Sequence, residues 1–229
     1  MHALEFRAGS RALERIRKNG LSPDDISVFA AAAGGPKGLM LAGVDPFLFD
    51  DWLLRRSKPL PVIGSSAGAW RVAMACRSDK AARHGLTQDY IGQRYDAMPS
   101  PSEINANANT MLGAAVGGGG AEDILSHPLF RLQVITVRCI GLLANEGIWR
   151  QRAGGAAAFM GNAISRQRLA RYVQRVIFHD PRMALEFADD GFSTLYAELG
   201  EDNLQDSLLA SGSIPLMMEG VVDIAGAPA

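Results

Sequence analysis

The chain has 229 residues, 48% of them hydrophobic and 21% charged, enough to bury a substantial core within a single domain over 1–229. A net charge of −1 leaves no electrostatic footprint for nucleic acid, and two cysteines in separate apolar segments read as free thiols rather than a disulfide framework. Arg7, Arg11, Arg15, Arg17 and Lys18 are followed by no apolar core, and the apolar stretch Val28 to Val44 is interrupted at Gly34-Gly35-Pro36-Lys37, so neither a secretory signal nor a spanning helix is predicted and a cytoplasmic protein is expected.

Apolar and basic positions recur at helical spacing from Ala3 to Arg17, predicting a short surface helix that ends at Asn19-Gly20. Ser22-Pro23-Asp24-Asp25 reads as a turn. Ile26 to Ala32 is a short apolar run without polar alternation, the pattern of a buried strand. It runs into Gly34-Gly35-Pro36-Lys37-Gly38, after which Leu39 to Leu54 has helical periodicity. Pro59 to Ile63 predicts a second strand, followed by the turn Gly64 to Gly68 and an apolar helix to about Cys76. Two strand–turn–helix units in succession predict right-handed crossovers and a parallel sheet, hence an α/β fold.

Further along, Thr87 to Tyr95 and Ser102 to Val116 read as helices, and Gly117 to Gly120 as a flexible break with no Gly-Lys-Ser/Thr to make it a phosphate loop. The β-branched run Gln133 to Leu142 predicts a core strand. Ala153 to Arg175 reads as a helix whose arginines (Arg166, Arg168, Arg171, Arg175) form either a solvated face or a contact for anionic lipid or an acidic partner. Ser193 to Leu199 predicts a strand, and Asp202-Asn203 a cap for a helix from Leu204 to Ala210.

The chemistry concentrates at Gly64-Ser65-Ser66-Ala67-Gly68. A serine squeezed between a strand and a helix needs small neighbours, because the turn is sharp and strained. Here all four neighbours are small, which makes Ser66 the candidate nucleophile of a serine acyl hydrolase. Acyl transfer also needs N–H donors aimed at the oxyanion, and the glycine turn at Gly34, Gly35, Lys37 and Gly38 is placed one unit earlier to supply them; Pro36 has no N–H to give. Neither GxGxxG nor GxxxxGK[ST] is satisfied, against a nucleotide-binding module. Of the four histidines only His179 comes late enough for a triad base, yet a single clear strand precedes the elbow strand, which fits triad topology poorly. No His/Cys/Asp/Glu cluster has metal-ligand spacing, and no cofactor is called for.

Gly34-Gly35-Pro36-Lys37-Gly38 followed by Gly64-Ser65-Ser66-Ala67-Gly68 resembles the patatin-like phospholipase family, which pairs a Gly-Gly-x-Arg/Lys-Gly oxyanion loop with a Gly-x-Ser-x-Gly elbow. Ala210-Ser211-Gly212-Ser213-Ile214-Pro215 is similar to that family's Ala-Ser-x-x-x-Pro segment. The resemblance implies a three-layer α/β sandwich with a mostly parallel central sheet, and a Ser-Asp dyad in place of a triad. It implies an acyl lipid as substrate and peripheral contact with membranes, with Ser66 as nucleophile and Gly34 to Gly38 as oxyanion hole. The family's aspartate lies in Asp-Gly-Gly or Asp-Gly-Ala, and here the sequence departs: the aspartate after Pro215 is Asp223, followed by Ile224-Ala225-Gly226. Three expectations compete: a domain lacking its C-terminal part, with the aspartate beyond residue 229; Asp223 acting from a displaced loop; or no working partner. The alternatives are a triad-type α/β-hydrolase esterase using His179 and a catalytically inactive lipid-binding protein.

Overall fold

The structure, a computed structural model, describes residues 7–144, 148–183, 185–214, 217–222 and 224. Among these residues five strands form one sheet: β1 (Phe29–Ala31), β2 (Leu60–Ser65), β3 (Phe130–Cys139), β4 (Val173–His179) and β5 (Thr194–Glu198). Their spatial order is their chain order, β1-β2-β3-β4-β5. Neighbours run parallel except β3 and β4, which are antiparallel, so the sheet is mostly parallel and the fold is α/β.

β2 is buried along Leu60-Pro61-Val62-Ile63-Gly64, which is why its sequence is apolar without alternation. Pro61 is tolerated there for a local reason. Leu60 donates its N–H to Leu129 on the β3 side, so the next nitrogen faces β1, and β1 begins pairing only at Val62.

The helices are α1 (Ser10–Asn19), α2 (Asp45–Phe47), α3 (Ala67–Ala75), α4 (Lys80–Gly92), α5 (Pro101–Val116), α6 (Gly120–Ser126), α7 (Ile148–Ile164), α8 (Arg166–Leu169) and α9 (Leu204–Gly212). α3 lies on β1, β2 and β3; α9 packs on β3 and α3, α5 on α9, and α4 on α5. Fully buried Leu60, Val62, Leu112, Phe130, Leu132, Phe178, Leu204 and Leu208 form the centre of the core, each contributing about 1.5–3 kcal/mol by leaving water. α1 buries nothing and is tied down by Arg15 pairing with Asp25, whose other oxygen accepts the Ser22 N–H in a capping box.

The helix expected over Ala3 to Arg17 is Ser10–Asn19 among the described residues, and the one expected over Thr87 to Tyr95 is Lys80–Gly92; three further elements differ in kind from the sequence expectation. Leu39 to Leu54 is not one helix: a tight 3-10 helix (Gly35–Leu41) is followed by α2, a wide π turn (Leu48–Trp52) and another 3-10 turn (Leu53–Arg55). Pro46 restarts the helix at its first turn because it has no N–H for a continuing ladder. The helix expected over Ala153 to Arg175 ends at Ile164, and Val173–His179 is a strand instead, its β-branched residues claimed by pairing with β3 and β5. Arg175 therefore sits on no solvated helix face; it pairs with Asp190 at 2.5 Å and stacks over Phe187 and Phe192. Finally, Gly117 to Gly120 is a defined turn: Gly118 (φ 59°) and Gly119 (φ 83°) are left-handed and lead into α6.

Candidate active site

β2 ends at Ser65 and α3 begins at Ala67, so Ser66 is the whole connection. Its backbone has φ 55° and ψ −133°, and it is the sole non-glycine with positive φ among the described residues. Such a conformation costs about 1–3 kcal/mol and persists only where the surroundings fix it. The flanking glycines are required sterically. A Cβ on Gly64 would stand 2.5 Å from the Ala69 backbone, and one on Gly68 would stand 2.7 Å from the Ala32 carbonyl oxygen. Ser66 also accepts, through its carbonyl, the N–H groups of Ala69 (2.8 Å) and Trp70 (3.2 Å). A serine at a helix N-cap ordinarily spends its hydroxyl on the helix's free N–H groups; Ser66 does not, and among the described residues its hydroxyl, at a positive helix end, has no hydrogen-bond partner.

The Ser66 N–H, by contrast, is committed. It donates to Ser211 Oγ at 2.8 Å, and Ser211 Oγ donates in turn to the Ile135 carbonyl at 2.7 Å. Ser211 lies in the Ala210–Pro215 segment that the sequence singles out, but its link to Ser66 spans 145 residues and has no local signal. Pro215 itself lies outside the described residues.

The glycine loop follows β1, whose Ala31 stands in register with Gly64, so the loop emerges beside the elbow. Gly35 is left-handed (φ 53°) and opens the 3-10 helix, where its N–H has no partner within the helix. The Lys37 N–H donates to the Gly34 carbonyl at 3.2 Å and is already used. Of the expected oxyanion residues, Gly35 and Gly38 line a cavity together with Ala67, while Gly34 and Lys37 lie on the exposed side of the turn.

That cavity, about 830 Å³, runs from the glycine loop along α3 to α4. Its wall is largely apolar, with Leu39, Phe49, Trp70, Met74, Leu86 and Tyr90 prominent. Trp70 and Tyr90 meet edge to face at 6.4 Å, and burial raises the Tyr90 phenol above its ordinary pKa, keeping it neutral. The charged groups in the wall are paired. Asp45 holds Arg71 through both oxygens, and the Arg71 guanidinium rests 5.6 Å from the Phe29 ring centre and 5.5 Å from that of Phe49. Asp50 holds Arg83, with Lys80 at 3.6 Å.

The remaining sequence candidates are placed elsewhere. His179 ends β4 opposite Gln133, two strands from Ser66 and displaced toward the start of β3; its Nδ1 is 3.1 Å from the Asp180 carbonyl and its ring meets Tyr196 edge-on. The structure therefore does not bring it to Ser66 as a triad requires. His127 stacks on Phe130 and accepts the N–H groups of Leu129 and Phe130; burial pushes its imidazole down to about 4. His84 is the histidine that lines the cavity, from an exposed position on α4. Asp223 lies outside the described residues. Among the described residues no group of three or more His, Cys, Asp or Glu is placed to hold a metal ion. No protein-family model, no curated protein and no solved structure matches the chain.

Proposed function

We propose that this chain is a patatin-like serine acyl hydrolase, a three-layer α/β sandwich that cleaves ester bonds of phospholipids or related acyl lipids. The observation that carries the reading is Ser66: a left-handed serine between strand and helix, its hydroxyl unpaired among the described residues, whose neighbour Ala67 lines a largely apolar cavity. In this reading the acyl chain occupies the cavity along Trp70, Met74 and Tyr90, which its lining suits. Exposed Ile91, at the cavity wall, and Met40, next to the lining residue Leu39, offer apolar contact to a lipid surface.

Ser66 Oγ attacks the ester carbonyl, its proton passes to an aspartate, and the oxyanion is received by the amide of Gly35, whose N–H has no partner within its 3-10 helix, together with that of Ala67 at the start of α3. The alcohol leaves with that proton. Water then attacks the acyl-enzyme, its proton is taken by the same carboxylate, and as the second tetrahedral intermediate collapses the carboxylic acid is released and that proton returns to Ser66 Oγ. Asp223 is the aspartate this sequence offers after the Ala210–Pro215 segment. One observation favours a second reading, a lipid-binding protein without turnover: Asp223 is followed by Ile224-Ala225-Gly226 and not by the Gly-Gly or Gly-Ala of the family it resembles.

Release of fatty acid from phospholipid vesicles, compared between wild type and Ser66→Ala, separates the two. Hydrolysis lost in the variant supports the hydrolase; vesicle binding by both proteins with no hydrolysis by either supports the second reading.

A further inference from the structure

We propose that Ser211 is the positioning residue for Ser66: its hydroxyl takes the place of the next rung of the β2–β3 ladder and holds the elbow in its left-handed turn. The inference rests on reading Ser66 as the nucleophile. The parallel register of β2 and β3 ends at Ser65 opposite Ile135. One residue further the chain must leave the sheet plane, and a backbone N–H on one strand and a carbonyl on the other are left at the point of departure. Ser211 Oγ bridges these two groups, accepting from Ser66 N–H (2.8 Å) and donating to Ile135 C=O (2.7 Å). A hydroxyl has one proton to give and lone pairs to accept with, so a single side chain satisfies both ends of the interrupted ladder.

Neighbouring serines show that this is not what a serine on α9 does by default. Ser207 and Ser213 turn their hydroxyls back to their own helix, onto the carbonyls of Leu204 and Leu209 at 2.9 Å each. Ser211 reaches across to the sheet. It can do so with fixed geometry because α9 is docked on α3: Trp70 Nε1 donates to the Leu208 carbonyl at 2.8 Å, and a Cβ on Gly212 would stand 3.0 Å from the Trp70 ring. Ser211 is itself 9% exposed. With its N–H held by Ser211, Ser66 contributes no backbone donor to the oxyanion, which leaves that task to the glycine loop and to the Ala67 amide at the start of α3.

Two measurements test this. In the wild-type protein, amide hydrogen exchange followed by NMR should find the Ser66 N–H strongly protected. With a fluorophosphonate probe, Ser211→Ala should phosphonylate Ser66 about tenfold more slowly or worse while keeping its thermal midpoint above the assay temperature, and Ser211→Thr should stay close to the wild-type rate. On ester substrates the loss in Ser211→Ala should fall on kcat with KM unchanged, as expected for a misaligned nucleophile. Wild-type labelling in folded Ser211→Ala, or a Ser66 amide exchanging as fast as an exposed one, overturns the assignment. If Ser211→Ala does not fold, the wild-type exchange rate alone decides. If wild-type Ser66 is not labelled at all, it is the nucleophile reading that fails, and the amide exchange still decides whether Ser211 clamps the turn.

Discussion

At the scale of single residues, what distinguishes the elbow is that backbone, not side chain, excludes any larger neighbour. A methyl group at Gly64 would meet the Ala69 nitrogen and Cα at 2.5 Å, and neither can rotate away. Gly64→Ala is therefore expected to lower the urea-unfolding free energy by about 1–3 kcal/mol and to slow probe labelling of Ser66. Gly85, inside α4 with open space around it, is the control: Gly85→Ala should leave labelling unchanged and raise stability by about 0.5–1 kcal/mol. His127 makes a second prediction. Burial lowers its pKa from 6.5 to about 4, so between those values the unfolded chain binds more protons than the folded one. Stability should fall as pH drops through that window, and the urea midpoint of wild type should decrease more from about pH 7 to about pH 4.5 than that of His127→Asn. Equal decreases in the two proteins contradict this.

At the scale of elements, β4 decides between base assignments. Its antiparallel pairing carries His179 to Gln133, away from the level of β3 where Ile135 meets Ser65. His179→Ala is expected to keep near wild-type ester turnover in a folded protein, whereas loss of several orders of magnitude would restore a triad. The element-level features that were legible in the sequence are those written locally. The runs around Phe29 and Val62, each followed by small residues and a turn, fix β1, β2 and the start of α3, and Ser66 with them. β4 was not legible because Arg175, on helical spacing with Arg168 and Arg171, masks Val173, Val176 and Ile177, and only pairing with distant strands decides the matter. The Leu39 to Leu54 segment kept helical periodicity through Pro46, and periodicity does not report which kind of turn carries it. Ser211 was visible as part of a motif, while its hydrogen bonds depend on how α9 docks, which no local pattern encodes.

At the scale of the whole molecule, the three strands that run parallel, β1 to β3, carry the elbow, the glycine loop and the clamp from α9, and β4 and β5 extend the sheet beyond them. The α/β class and the mostly parallel sheet follow from the succession of strand–turn–helix units; the reversal at β4 does not, since it is set by antiparallel pairing with β3, between residues about forty positions apart. Among the described residues no helix is long and apolar enough to cross a membrane. All of this converges on one atom, the Ser66 oxygen. The most direct test is intact-protein mass spectrometry after reaction with a fluorophosphonate, with the adduct located by peptide mapping. The account predicts a single adduct on Ser66 and none on Ser66→Ala; an adduct on another residue, or undiminished labelling of the variant, contradicts it.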